Sequence, residues 1–87
     1  MSKIHEFHGY RFYFYEGEVA NEPPHIHIKG ERGRMKVWLF SLEIARCRGI
    51  PPHEQNKLLE EVEINRQSFL KKWQITKKKT YEPNKRS

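Results

Sequence analysis

The chain is short of cysteine, of long apolar runs, and of net charge outside its C-terminal end. Its 87 residues contain one cysteine, Cys47. No disulfide can therefore form within the chain, and no cysteine cluster is available for zinc, a usage that fits a reducing cytosol. The opening MSKIHEFHGYRF lacks the roughly 7–15-residue apolar stretch of a signal peptide. Nothing approaches the ~20 consecutive apolar residues of a membrane helix, and no internal repeat is present. These absences predict a soluble, cytoplasmic protein with no membrane contact. A chain this short reads as one domain. It buries only about 60% of its unfolded surface, so one compact core must suffice unless a homodimer adds to it.

The formal net charge of +6 is unevenly placed. Residues 71–87, KKWQITKKKTYEPNKRS, carry seven Lys/Arg and one Glu, whereas residues 1–70 balance to zero. Residues 77–87 are accordingly read as a basic, disordered tail and residues 1–76 as the single domain. Phosphate attraction is the functional alternative for the tail. Within the body, residues 29–48 are net +4, from Lys29, Arg32, Arg34, Lys36, Arg46 and Arg48 against Glu31 and Glu43.

Strand signals dominate the first half. KIHEF is a first strand ending at His8-Gly9, and YRFYFYE is dense in aromatic residues that favour strands. GEVANEPP reads as a loop, broken by Gly17, Asn21 and Pro23-Pro24. HIHIK and RMKVWLF alternate on either side of the glycine turn GERG, which predicts a hairpin. SLEIARCRG reads as a short edge strand. From Pro52 one long helix is expected, with Leu58, Leu59, Val62, Phe69, Leu70 and Trp73 on a single apolar stripe. Ile64 and Ile75 fall off it. The fold class predicted is α+β: a small, mostly antiparallel sheet of four or five strands packed on one long C-terminal helix.

Alternation then sorts the side chains between two faces. Phe12, Phe14, Ile26, Ile28, Val37 and Leu39 form a core face. Arg11, Tyr13, Tyr15, His25, His27, Lys36 and Trp38 share the other, which reads as basic and aromatic, without a carboxylate, and solvent-facing. Such faces bind single-stranded RNA by stacking bases and holding phosphates; an ordinary wetter sheet side has the same composition.

His25 and His27 project from one side of one strand, and four uses are open to them. Metal binding needs at least a third ligand, for which His5, Glu6 and His8 are candidates and His53 a distant one. Acid–base chemistry on a phosphodiester needs no metal: the histidines act as base and acid, Arg11 or Lys36 stabilises the anionic transition state, and Tyr13 positions a phosphate. Nucleophilic chemistry of the histidine-triad kind is disfavoured, because Lys29 stands where that family has its last histidine. The fourth use is structural, with both rings bonded to the NEPP turn.

The segments GYRFYFYEGE, NEPPHIHI, KVWL and RGI, an acidic helix start and the closing Trp73 together resemble the bacterial domain-of-unknown-function family 4160. The resemblance spans about residues 7–73, and its most specific part is Asn21-Glu22-Pro23-Pro24-His25-Ile26-His27. It carries over no activity. It implies a component of a toxin–antitoxin-like pair, with a small protein encoded by a neighbouring gene as partner and RNA as a second candidate. The sharper expectation is a metal-independent, ribonuclease-type site at His25, His27, Arg11 and Tyr13, with Tyr15, Lys36 and Trp38 binding and no cofactor. The alternative is a non-catalytic protein- or RNA-binding module, an antitoxin or regulator, that uses the same face.

Overall fold

The computed structural model describes residues 2–81. Five strands, β1 (Ser2–Phe7), β2 (Tyr10–Phe14), β3 (His25–Lys29), β4 (Arg34–Trp38) and β5 (Ile44–Arg48), form one sheet in the order of the chain. Every neighbouring pair is antiparallel. A helical turn, α1 (Glu16–Val19), lies between β2 and β3, and two helices, α2 (Pro52–Ile64) and α3 (Arg66–Tyr81), follow the sheet. The fold is α+β, and the helices pack with the sheet as expected.

Local chemistry explains the turns. His8 and Gly9 both have positive φ, 51° and 83°, the backbone that a two-residue hairpin needs to match strand twist. In the β3–β4 turn the Gly30 N–H donates to the Gly33 carbonyl at 2.9 Å. A Cβ on Gly33 would strike the Arg48 carbonyl oxygen, so this turn admits only glycine beside β5.

The core follows the alternation. Phe12, Phe14, Ile26, Ile28, Val37 and Leu39 are all at most 1% exposed. From the helices, Leu58, Val62, Phe69 and Trp73 meet them. The Phe69 ring lies 5.9 Å from that of Phe12, and the Trp73 ring 5.2 Å from that of Phe14. Ile64 and Ile75, off the stripe, are exposed.

Two features depart from the sequence reading. The expected single helix is two, broken at Asn65 (φ −100°, ψ 12°). There the Asn65 side-chain amide donates to the Glu61 carbonyl at 2.9 Å and to its carboxylate at 3.0 Å. The same Glu61 Oε2 is 2.7 Å from Nε2 of His5. An Asn side chain that competes for backbone partners interrupts a helix, although the Phe69 N–H still reaches the Asn65 carbonyl at 2.9 Å. The second departure is α1, a helical turn where a loop was expected. As for the predicted tail, α3 runs to Tyr81, and residues 82–87 lie outside the described residues.

Trp73 is 1% exposed and packs against both Phe14 and His25. Trp73→Ala is expected to cost about 3–5 kcal/mol. Urea melts check this; a variant as stable as the parent would overturn the core assignment.

Candidate functional site

The site grows out of the β2–β3 connection. Tyr15 follows β2 in extended conformation and caps the start of α1. On that single turn Val19 is buried in the core, which anchors it. Glu18 precedes Val19 and lies about 100° round the turn, so its carboxylate leans over the start of β3. There Oε1 of Glu18 is 2.7 Å from Nε2 of His25 and 2.8 Å from Nε2 of His27. One oxygen atom thus meets both imidazoles. The other nitrogen of His25, Nδ1, is 2.9 Å from the Pro23 carbonyl. A carbonyl only accepts, so Nδ1 carries the proton of that bond.

Aromatic rings brace the pair. Tyr13 stacks on His27 at 5.4 Å and 19°, and Tyr15 meets His27 edge-on at 5.0 Å. His25 is bounded by Trp38 at 5.6 Å and Trp73 at 5.0 Å. Glu22 Oε1 accepts from Lys36 Nζ at 2.9 Å and lies 3.7 Å from Nδ1 of His25. Lys36 also sits 4.7 Å above the Trp38 ring.

The structure therefore brings His25, His27, Tyr13, Tyr15, Lys36 and Trp38 together. Arg11 stands apart: it shares their face but pairs across to Lys29 and is exposed. Two expectations are corrected. The face is not free of carboxylates, because Glu18 and Glu22 fold onto it. Nor do both histidines line a surface: His25 is 0% exposed, bonded to the NEPP turn as the structural alternative supposed, and only His27 keeps partial exposure. The candidate third ligands also fall elsewhere. His5 bonds Glu61 on α2, Glu6 pairs with Lys3, and His53 lies beside Glu54; His8 occupies the first hairpin turn. Glu18 is the residue that sequence reasoning missed. Its only signal was an acidic side chain in a loop short enough to fold back on the strand it precedes.

Electrostatics follow from this packing. Burial pushes the Glu18 carboxyl up, but its close contacts with the His27 and His25 rings outweigh it and hold the carboxyl below its ordinary value. Burial pushes His27 down, against the attraction of Glu18. Burial, then the Tyr15 hydrogen bond, raises the Tyr13 phenol to about 12, so it stays neutral.

Both Glu18 and His27 titrate lower folded than unfolded, so the unfolded chain takes up these protons first as pH falls. Their contribution to stability is complete above the ordinary values. It declines below 6.5 for His27 and then below 4.5 for Glu18. Urea unfolding measured as pH is lowered through this window should show falling stability, with a shallower slope for His27→Gln. Equal slopes, or a gain on acidification, would contradict the assignment.

Comparison with known proteins adds the family. No curated protein and no solved structure matches the chain. A match to the family described as Domain of unknown function (DUF4160) covers residues 9–74, which takes in β2 to β5, Glu18, both histidines and most of the helical layer. Spanning well over half of the chain, that match establishes that this protein belongs to the DUF4160 family.

Proposed function

We propose that the protein is an RNA-binding module that holds the phosphates of a single strand on the open face of its sheet. One observation carries this reading. Arg11 pairs with Lys29, Lys29 with Arg34, and Arg34 with Arg48. Cross-strand partners share a face, so four basic side chains form a ladder across four adjacent strands. With strands ~4.8 Å apart, it spans about 14 Å. Arg46, paired with Lys36 in the next row, widens it. All five side chains, Arg11, Lys29, Arg34, Arg46 and Arg48, are exposed. Among the described residues none of the five has a salt-bridge partner.

Like charges directly opposite each other destabilise a sheet. A ladder of them is a liability to the fold and an asset only to a polyanion. Tyr15, 42% exposed at the margin of the same face, offers a ring on which a base stacks.

The ribonuclease reading is the sharper form of this proposal, and the burial of His25 counts against it. A general acid or base must come within hydrogen-bond reach of the proton it moves, which a wholly enclosed ring does not. A role within a toxin–antitoxin-like pair, beside a partner protein, is compatible with RNA binding and rests on the resemblance alone.

Fluorescence anisotropy with a labelled oligouridine tests the ladder. Each phosphate contact to a single strand contributes about −0.7 to the slope of log K against log salt. Arg34→Ala/Arg48→Ala should therefore flatten that slope by about 1.4 and weaken binding, while folding stability is kept or increased. Lys71→Ala/Lys72→Ala, on the exposed side of α3, should affect binding less. A ladder variant with unchanged affinity and slope would sink the proposal.

A further inference from the structure

We infer that Glu18, His25 and His27 form a binding site for a divalent transition-metal ion, with zinc as the ion the donors fit best. Oε1 of Glu18 and one ring nitrogen of each histidine lie within 4.8 Å of one another. Two imidazoles and a carboxylate suit a borderline ion such as zinc. Calcium and magnesium take oxygen ligands and are disfavoured.

The hydrogen bond on the far side of the His25 ring adds to this geometry. Nδ1 of His25 is committed to the Pro23 carbonyl at 2.9 Å. In the neutral ring that leaves Nε2 with a bare lone pair. This lone pair faces Oε1 of Glu18 at 2.7 Å, inside a ring that is 0% exposed. The same oxygen faces Nε2 of His27 at 2.8 Å. The carboxylate oxygen and the bare Nε2 of His25 are both acceptors, and a cation placed between them and Nε2 of His27 draws the three together. A cation among the three donors satisfies all of them at once.

The surroundings suit that role. A ligating histidine typically donates its other ring N–H to a carbonyl or carboxylate, which fixes the tautomer; the Pro23 carbonyl does this for His25. Tyr13 stacked on His27 and the two tryptophans about His25 hold the rings. Glu22, 3.7 Å from His25 Nδ1, has its charge balanced by Lys36. Metal–ligand bonds of about 2.0–2.1 Å in a tetrahedron set donors about 3.3 Å apart. The two oxygen–nitrogen spacings must therefore open by about half an ångström, and the two ring nitrogens must settle about 3.3 Å from each other. Glu18, partly exposed on a helix of four residues, has that freedom. Its exposed side leaves a fourth position for water.

Isothermal titration of the chelator-treated full chain with zinc chloride tests the site, with cobalt(II) absorption as a second probe of coordination. The wild type should bind one zinc per chain and melt at a higher temperature with zinc. Glu18→Gln and His27→Ala should lose more than the roughly 10–100-fold in affinity that removal of an outer-shell partner costs, and should lose the thermal shift. Circular dichroism establishes that each variant is folded, and Glu18→Gln, nearly isosteric, serves if His27→Ala is not. His53→Ala, on an exposed side chain, should bind zinc as the wild type does. A wild type that binds no zinc, or variants that bind it as tightly with the same cobalt spectrum, would overturn the assignment. RNA binding through the basic ladder stands or falls separately.

Discussion

Oε1 of Glu18 stands between Nε2 of His25 and Nε2 of His27, at 2.7 and 2.8 Å, and the arrangement of the open sheet face depends on that contact. It fixes α1 over the start of β3. It lets His25, a polar ring, be wholly buried, since a buried polar group is tolerated only when its partners are present. Removing the carboxylate would leave Nε2 of both imidazoles without this partner, while Nδ1 of His25 keeps the Pro23 carbonyl.

The same contact divides the face in two. Near α1, Glu18 and Glu22 meet His25, His27 and Lys36, so charge is matched and most side chains are covered. One row further along the strands, Arg11, Lys29, Arg34 and Arg48 oppose one another, with Glu6 of β1, itself paired with Lys3, across from Arg11 at one end. Positive potential is thereby confined to the uncovered half. The overall charge of the chain hides this pattern, since residues 1–70 balance to zero. A ladder of like charges weakens the sheet that carries it, and the matched half and the apolar core on the other side offset that cost.

What was legible in the sequence was whatever backbone periodicity dictates. Alternation assigned Phe12, Phe14, Ile26, Ile28, Val37 and Leu39 to the core because a strand has no other way to place them, and the stripe from Leu58 to Trp73 is equally geometric. Periodicity says which face a side chain takes, but not what covers that face. His25 was assigned to the correct side and yet is buried, because Glu18 and two tryptophans close over it. Four residues of α1 are too few to show a helical period, and the break at Asn65 depends on Glu61 and on His5, more than fifty positions away. Each of these features is set by particular side-chain contacts, some of them distant in sequence as His5 is from Glu61, to which periodicity is blind.

The most direct test is to observe the ring protons of His25. Long-range proton–nitrogen correlation spectra of the chelator-treated protein report which imidazole nitrogens are protonated. The account predicts that His25 is protonated at Nδ1, donating to the Pro23 carbonyl, and that Glu18→Gln shifts the Nε2 resonances of His25 and His27 together. A His25 ring protonated only at Nε2, or histidine resonances indifferent to Glu18→Gln, would contradict it.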